Sequence, residues 1–206
     1  YAPLGPTHQA IDDIAIMRAL PNMTIIAPAD ADEMRRLMPQ TVNHQGPIYI
    51  RLAKGYDPIV TPDSLPAMIG RAIPVRDGSD ALILTTGITL GIALEAAESL
   101  QKEGLNAGIL HCHTVKPLDT DTIMEFATNV EVIVSIEEHS VIGGLGSAVS
   151  EVIAEANFRP SKKFKRMGLP DIFADGYGSQ ASLMNKYSLT SIDLASVVTG
   201  LFDQIS

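Results

Sequence analysis

The sequence predicts an α/β protein, built as a truncated α/β domain followed by a three-layer α/β domain with a mostly parallel sheet. Short apolar runs alternate with amphipathic stretches along the 206 residues, the pattern of strands joined by helices. Glycine and proline interrupt the chain repeatedly between Lys54 and Asp77, which marks a linker. Ahead of that linker there is material for two strands and two helices only, too little to cover both faces of a parallel sheet.

The elements follow in order. Gly5-Pro6-Thr7 reads as a loop whose threonine caps a helix running to about Leu20, with Ile11, Ile14 and Ala15 on one face and Asp12 and Asp13 in the first turn. Pro21-Asn22 stops it. Thr24–Ala27 is an apolar strand. Asp30 with Glu33 three residues on forms a capping-box pattern for a helix from Ala31 to Asn43, ended by Gly46-Pro47. Ile48–Leu52 is the next strand, and the linker after it has room for at most one short strand.

Beyond the linker the pattern is regular. Strand Ala81–Thr85, helix Thr89–Lys102, strand Ala107–His111, helix Thr120–Ala127, strand Val132–Ile136, helix Ser147–Ala156 and strand Phe164–Gly168 alternate. Helices near Ser182–Tyr187 and Ser191–Phe202 close the chain. This is a full α/β domain, in which right-handed crossovers are expected. Tyr1 in place of an initiating methionine fits a shortened or cleaved chain.

Composition excludes several function classes. With 46% hydrophobic and 19% charged residues the chain can bury a sizeable core. Its formal charge of −9 and single dense basic run, Lys162-Lys163-Phe164-Lys165-Arg166, argue against nucleic acid as a partner. That run reads as a charged strand that keeps a sheet edge from pairing with other molecules. No apolar stretch nears the ~18 residues of a membrane span, and no secretory leader is evident. The lone cysteine, Cys112, excludes an internal disulfide, so the expected location is the cytoplasm.

Several residues offer chemistry. Gly143-Gly144-Leu145-Gly146 follows a strand and opens a helix, so its N–H groups can face an anion. Val149 stands where a dinucleotide fingerprint wants glycine or alanine, and a tight turn that only glycine can pack is the stronger reading. His111 and His113 share one face if their strand continues, but two imidazoles with no third ligand fit strand-end histidines better than a metal site. Glu137-Glu138-His139 can supply an acid, a base or a ligand, and equally fits a solvated loop. His8 differs, because a proline-stiffened loop sets it at a helix start facing outward, where a cleft can use it. Arg51, at a strand end, offers a fork of donors for a phosphate or carboxylate, or else a buried ion pair.

The segments GPTHQAIDDIAIMRALPNMTIIAPAD, IYIRLAKG, LILTTG, HTVKPLD, IEEHSVIGGLGSAV and GLPDIFADGYGSQASLMNKYSLT, in this order and spacing, resemble the transketolase family across essentially the whole chain. The resemblance implies that residues 1–53 are the end of a thiamine-diphosphate pyrimidine-binding domain, 54–76 a linker and 77–206 a transketolase C-terminal domain. The implied activity is transfer of a two-carbon ketol unit between sugar phosphates, with thiamine diphosphate and Mg²⁺ in the complete enzyme. By the same resemblance His8 is the histidine that contacts donor-sugar hydroxyls, and Arg51 the arginine that binds the sugar phosphate.

Leu4 stands where the family commonly has an aspartate that reads the acceptor hydroxyl, which implies an unusual acceptor. The family's GDG diphosphate motif is absent and its activating glutamate would lie upstream of Tyr1. No cofactor-binding or metal-binding residue is therefore expected in this chain, and a homodimer or a heterotetramer with an amino-terminal subunit is implied. Alternatives are 1-deoxyxylulose-5-phosphate synthase, a 2-oxoacid dehydrogenase β-subunit, or a noncatalytic docking module.

Overall fold

A computed structural model describes residues 4–53 and 55–205. Its strands are β1 (Thr24–Ile26), β2 (Ile48–Ile50), β3 (Ile73–Arg76), β4 (Ala81–Thr85), β5 (Ala107–His111), β6 (Thr114–Lys116), β7 (Val132–Ser140) and β8 (Lys163–Leu169). Its helices are α1 (Asp13–Arg18), α2 (Ala31–Thr41), α3 (Thr89–Lys102), α4 (Thr120–Thr128), α5 (Leu145–Ala156), α6 (Gln180–Lys186) and α7 (Ser191–Phe202).

The strands form a five-stranded sheet ordered β3-β5-β4-β7-β8 and a three-stranded sheet ordered β2-β1-β6. In the larger sheet every pairing is parallel except β3 with β5. Side chains alternate across it, as the period of two requires. Ile83, Ile109, Val132, Val134 and Ile136 pack on one face against Leu90, Ala93 and Ala97 of α3 and Leu194 and Val198 of α7. Leu82, Leu84, Leu110 and Ile133 pack on the other against Ile123 of α4 and Leu145 and Val149 of α5. Three layers result, with both faces of the parallel strands covered, as predicted.

The basic run lies on β8, the edge of that sheet, where Lys163, Lys165 and Arg166 are exposed while Phe164 joins the core beneath. Charge on an edge strand discourages pairing with a further strand.

The smaller sheet was less legible. β1 and β2 pair in parallel, but the third strand, β6, comes from beyond the linker and pairs antiparallel to β1. A strand of the second segment thus completes the sheet of the first.

The first helix departs from expectation. Pro6–His8 form a single 3-10 turn after Gly5, whose φ of 69° suits glycine, and α1 begins only at Asp13. Asp12, not Thr7, stands at its N-cap, and no side chain caps it. The carbonyl of Ala10 is taken by Arg51 Nη2 at 2.8 Å, and that of Ile11 by the N–H of Ser140 at 2.7 Å. Carbonyls spent on these partners are lost to a helix ladder. The α2 cap forms through Asp30, which accepts from Glu33 N at 2.8 Å. The Glu33 carboxylate turns elsewhere, accepting from Ala29 N and from the second segment.

Candidate functional site

A cavity of about 500 Å³ lies between the two segments. One wall is the stretch from His8 to Ile11 with Asp13 and the end of β2, from Tyr49 to Ala53; the other is Glu138, Leu169 and the run from Gly178 to Tyr187. Both sequence-predicted site residues, His8 and Arg51, line it. His8 is exposed on the 3-10 turn, with Nδ1 2.9 Å from Thr7 Oγ1.

Arg51 lies at the centre of a polar chain that crosses between the walls. Its Nε donates to Asp13 Oδ2 at 3.1 Å, its Nη2 to Ala10 O at 2.8 Å and Glu138 O at 2.9 Å, and its Nη1 to Glu138 Oε2 at 3.3 Å. Asp13 also accepts from Tyr49 Oη at 2.8 Å, and Glu138 from Gln180 Nε2 at 2.8 Å. Burial, reinforced by the Asp13 carboxylate, pushes the Tyr49 hydroxyl up to about 12, so it stays a donor. Tyr49, in β2, and Arg51, just past its end, lie on the stretch from Tyr49 to Ala53 that lines the cavity. Asp13 and Gln180 were not singled out in the sequence; Asp13 carried only the signal of a first-turn acid.

Of the other candidates, Glu138 lines the cavity, whereas Glu137, His139, His111 and His113 lie apart from it. Glu137 is wholly buried and accepts from Leu145 N at 2.7 Å and Gly146 N at 2.8 Å. The anion facing the glycine turn is therefore the chain's own carboxylate, and a Cβ on Gly144 would overlap Glu137 Oε2. Burial pushes the Glu137 carboxyl up to about 7 against the pull of those two N–H groups. His139, also buried, donates from Nδ1 to Ser140 O at 2.8 Å and accepts at Nε2 from Ala15 N at 3.3 Å. Two backbone partners fix its tautomer, and burial holds its pKa low.

His111 and His113 are fully buried. His111 bonds Thr85 Oγ1 at 2.8 Å and Glu33 Oε2 at 3.1 Å. Among the described residues no group of three or more His, Cys, Asp or Glu side chains is placed to hold a metal ion. Nor is any described helix long and apolar enough to cross a membrane.

Residues 70–193 match the family model for the transketolase C-terminal domain, and residues 1–56 that for the transketolase pyrimidine binding domain. The chain belongs to the transketolase family. A transketolase family protein of Sinorhizobium fredii is 41% identical over 202 residues, which are 97% of this chain and 58% of that protein. A 1-deoxy-D-xylulose-5-phosphate synthase of Rippkaea orientalis is 38% identical over 96% of this chain and 31% of its own length. Among solved structures, a split-gene transketolase in an inactive β4 tetramer matches with TM-score 0.89 and 38% identity, covering 97% of this chain and 64% of that one. This transketolase-family chain thus spans little more than half of the first relative, and corresponds to a transketolase C-terminal section.

Family members use thiamine diphosphate. The described lining of this cavity offers one cation to its diphosphate end. Arg51 is the only lysine or arginine among the described residues lining the cavity, and it is held between two carboxylates, Asp13 and Glu138.

Proposed function

We propose that this chain supplies substrate contacts and subunit packing to a transketolase-type transferase that moves a two-carbon ketol unit between sugar phosphates. Thiamine diphosphate and Mg²⁺, held by residues outside this chain, supply the carbanion chemistry. The observation that carries the reading is that the GPTHQ loop and the end of β2, far apart in sequence, wall one cavity with His8 and Arg51 both on its lining.

In this reading His8 hydrogen-bonds sugar oxygens as charge develops on them. Arg51 meets a substrate phosphate through Nη1, whose bond to Glu138 is long at 3.3 Å, while Glu138 keeps its shorter bond to Gln180. The polyanion would thus compete with a carboxylate for one guanidinium edge. The likeness to a split-gene transketolase supports an amino-terminal transketolase subunit as partner, in a heterotetramer; a homodimer is the other arrangement. A single buried cysteine suits the cytoplasm.

The test is reconstitution with an amino-terminal transketolase subunit, followed by ketol-transfer assays of the wild-type chain and His8→Ala. A complex inactive with every sugar phosphate would leave only a docking role. The relative of 1-deoxyxylulose-5-phosphate synthase type supports a second reading, tested by whether the same complex forms that product.

A further inference from the structure

Away from the cavity, a second set of polar side chains meets where α2 packs on the end of β5. Glu33 and Arg36 are three apart on α2 and so project from one face of it. His111 and His113 are two apart on the opposing strand and its continuation, with ring centroids 6.2 Å apart. Glu33, His111 and His113 have no exposed surface.

Each of three side chains here has hydrogen-bonding capacity that the protein leaves unused. Glu33 Oε2 is taken by Ala29 N and His111 Nε2, but the buried Oε1 has no partner. His113 Nδ1 pairs with Thr114 Oγ1 at 3.0 Å, and the buried Nε2 has none. Arg36 Nη1 donates to Thr61 O and Asp63 Oδ1, while Nε and Nη2, equally buried, donate to nothing. Glu33 bonds His111, whose ring neighbours that of His113, and Arg36 shares the helix face of Glu33, so the groups lie in one neighbourhood, where the Glu33 and Arg36 charges both act on His113.

Buried donors and acceptors are rarely left unpaired, because each costs about 1–3 kcal/mol. The simplest remedy would be a direct Arg36–Glu33 ion pair. Among the described residues no such pair lies within 4.0 Å. Two groups too far apart to bond directly, both buried and polar, are what a bridging molecule serves. A cation there would be opposed by the Arg36 guanidinium, and an anion by the Glu33 carboxylate. The occupant must be neutral and small, and must both donate and accept.

We infer that an ordered water molecule occupies the space between Glu33 Oε1, His113 Nε2 and the Nε–Nη2 edge of Arg36. It donates to the carboxylate, accepts from the guanidinium and completes its shell at the imidazole in either tautomer. The water belongs to neither segment alone, since Glu33 and Arg36 precede the linker and His113 follows it. The joint between the segments is thereby a hydrated polar contact rather than a dry one.

A crystal structure of this chain at about 1.5 Å resolution tests the inference. The expected result is a density peak within hydrogen-bonding distance of at least three of the four named atoms, lost in His113→Phe with the surrounding backbone unmoved. An Arg36 guanidinium turned to bond Glu33 Oε1 directly, or an empty space, would overturn it. Should His113→Phe fail to fold, cross-relaxation in NMR between a long-lived water and the His113 ring protons of the wild-type chain gives the same answer. Its absence would count against the water.

Discussion

Arg51 Nε and Asp13 Oδ2 meet at 3.1 Å, joining the end of β2 to the first turn of α1 with both side chains largely withdrawn from solvent. The pair aims the guanidinium along the cavity wall toward Glu138, so the orientation of one proposed substrate contact depends on a residue that touches no substrate in this reading.

Removing one partner of such a buried pair leaves the other charge uncompensated, at about 3–5 kcal/mol in a dry interior and less at a cavity wall. Asp13→Asn keeps the shape and a single acceptor for Tyr49 and Arg51. It should lower stability by roughly 1–3 kcal/mol, read as a reduced urea midpoint with unchanged slope. An unaltered midpoint would mean that the pair contributes nothing.

Glu137 and the glycine turn should be inseparable. Gly144→Ala places a methyl group where Glu137 Oε2 lies and 2.7 Å from His139 Nδ1, so the carboxylate must leave the Leu145 and Gly146 N–H groups. Two buried donors then lose their acceptor, and a loss of roughly 2–4 kcal/mol follows. Thermal unfolding measures it, and a melting temperature within a degree of wild type would contradict the packing described.

Stability should depend on pH through two buried groups of opposite sign. Burial, foremost, lowers His113 to about 4 against the attraction of Glu33, with Arg36 and His111 adding to the fall. Its folded pKa lies below the unfolded value of about 6.5, so the unfolded chain binds the extra proton between them. His113 therefore favours folding fully above about 6.5 and loses roughly 3 kcal/mol of that as pH falls toward 4. Glu137, pushed up to about 7, acts in reverse, its stabilisation being present at low pH and lost as pH rises through 7. Urea midpoints across pH 4 to 8 should show His113→Phe flattening the acid limb and Glu137→Gln flattening the limb toward neutrality. Parallel profiles for both variants and wild type would refute the assignment.

Cys112 is buried, and burial pushes its thiol up to about 12. Because only the thiolate reacts readily, a disulfide reagent at neutral pH should label the chain no faster than it unfolds. Labelling at the rate of an exposed thiol would show that the strand end opens on its own.

The second domain was legible because its strands are apolar runs buried on both faces, a signal that needs no knowledge of partners. What escaped notice depends on pairing across the chain. β6 has one apolar residue, Val115, in a run of three and exists because β1 offers it an edge. β3, by contrast, is the one short strand for which the linker had room; it holds Pro74 and lies on the edge of its sheet, where a missing donor is tolerated. The overlong first helix is explained by Ala10 and Ile11, whose carbonyls were claimed by residues more than forty positions away.

His8 and Arg51, marked in the sequence by a proline-stiffened loop and a strand end, both line the cavity. Glu137, Glu138 and His139 read as one cluster, yet β7 continues through them, so its alternation buries the outer two and turns Glu138 to the cavity. Extending the strand by four residues in the sequence would have separated them. Gln180 carries no such sign; only the fold brings it within 2.8 Å of Glu138.

The central claim, that His8 contacts substrate, is tested most directly by His8→Ala in the complex with an amino-terminal transketolase subunit. One lost hydrogen bond, worth about 0.5–3 kcal/mol depending on charge, predicts a fall in kcat/KM of roughly 2-fold to 150-fold. Thiamine diphosphate affinity and melting temperature should remain as in wild type, since the residue is exposed and, in this reading, meets the sugar. A lower melting temperature with unchanged kcat/KM would contradict the account and make His8 a structural residue of its loop.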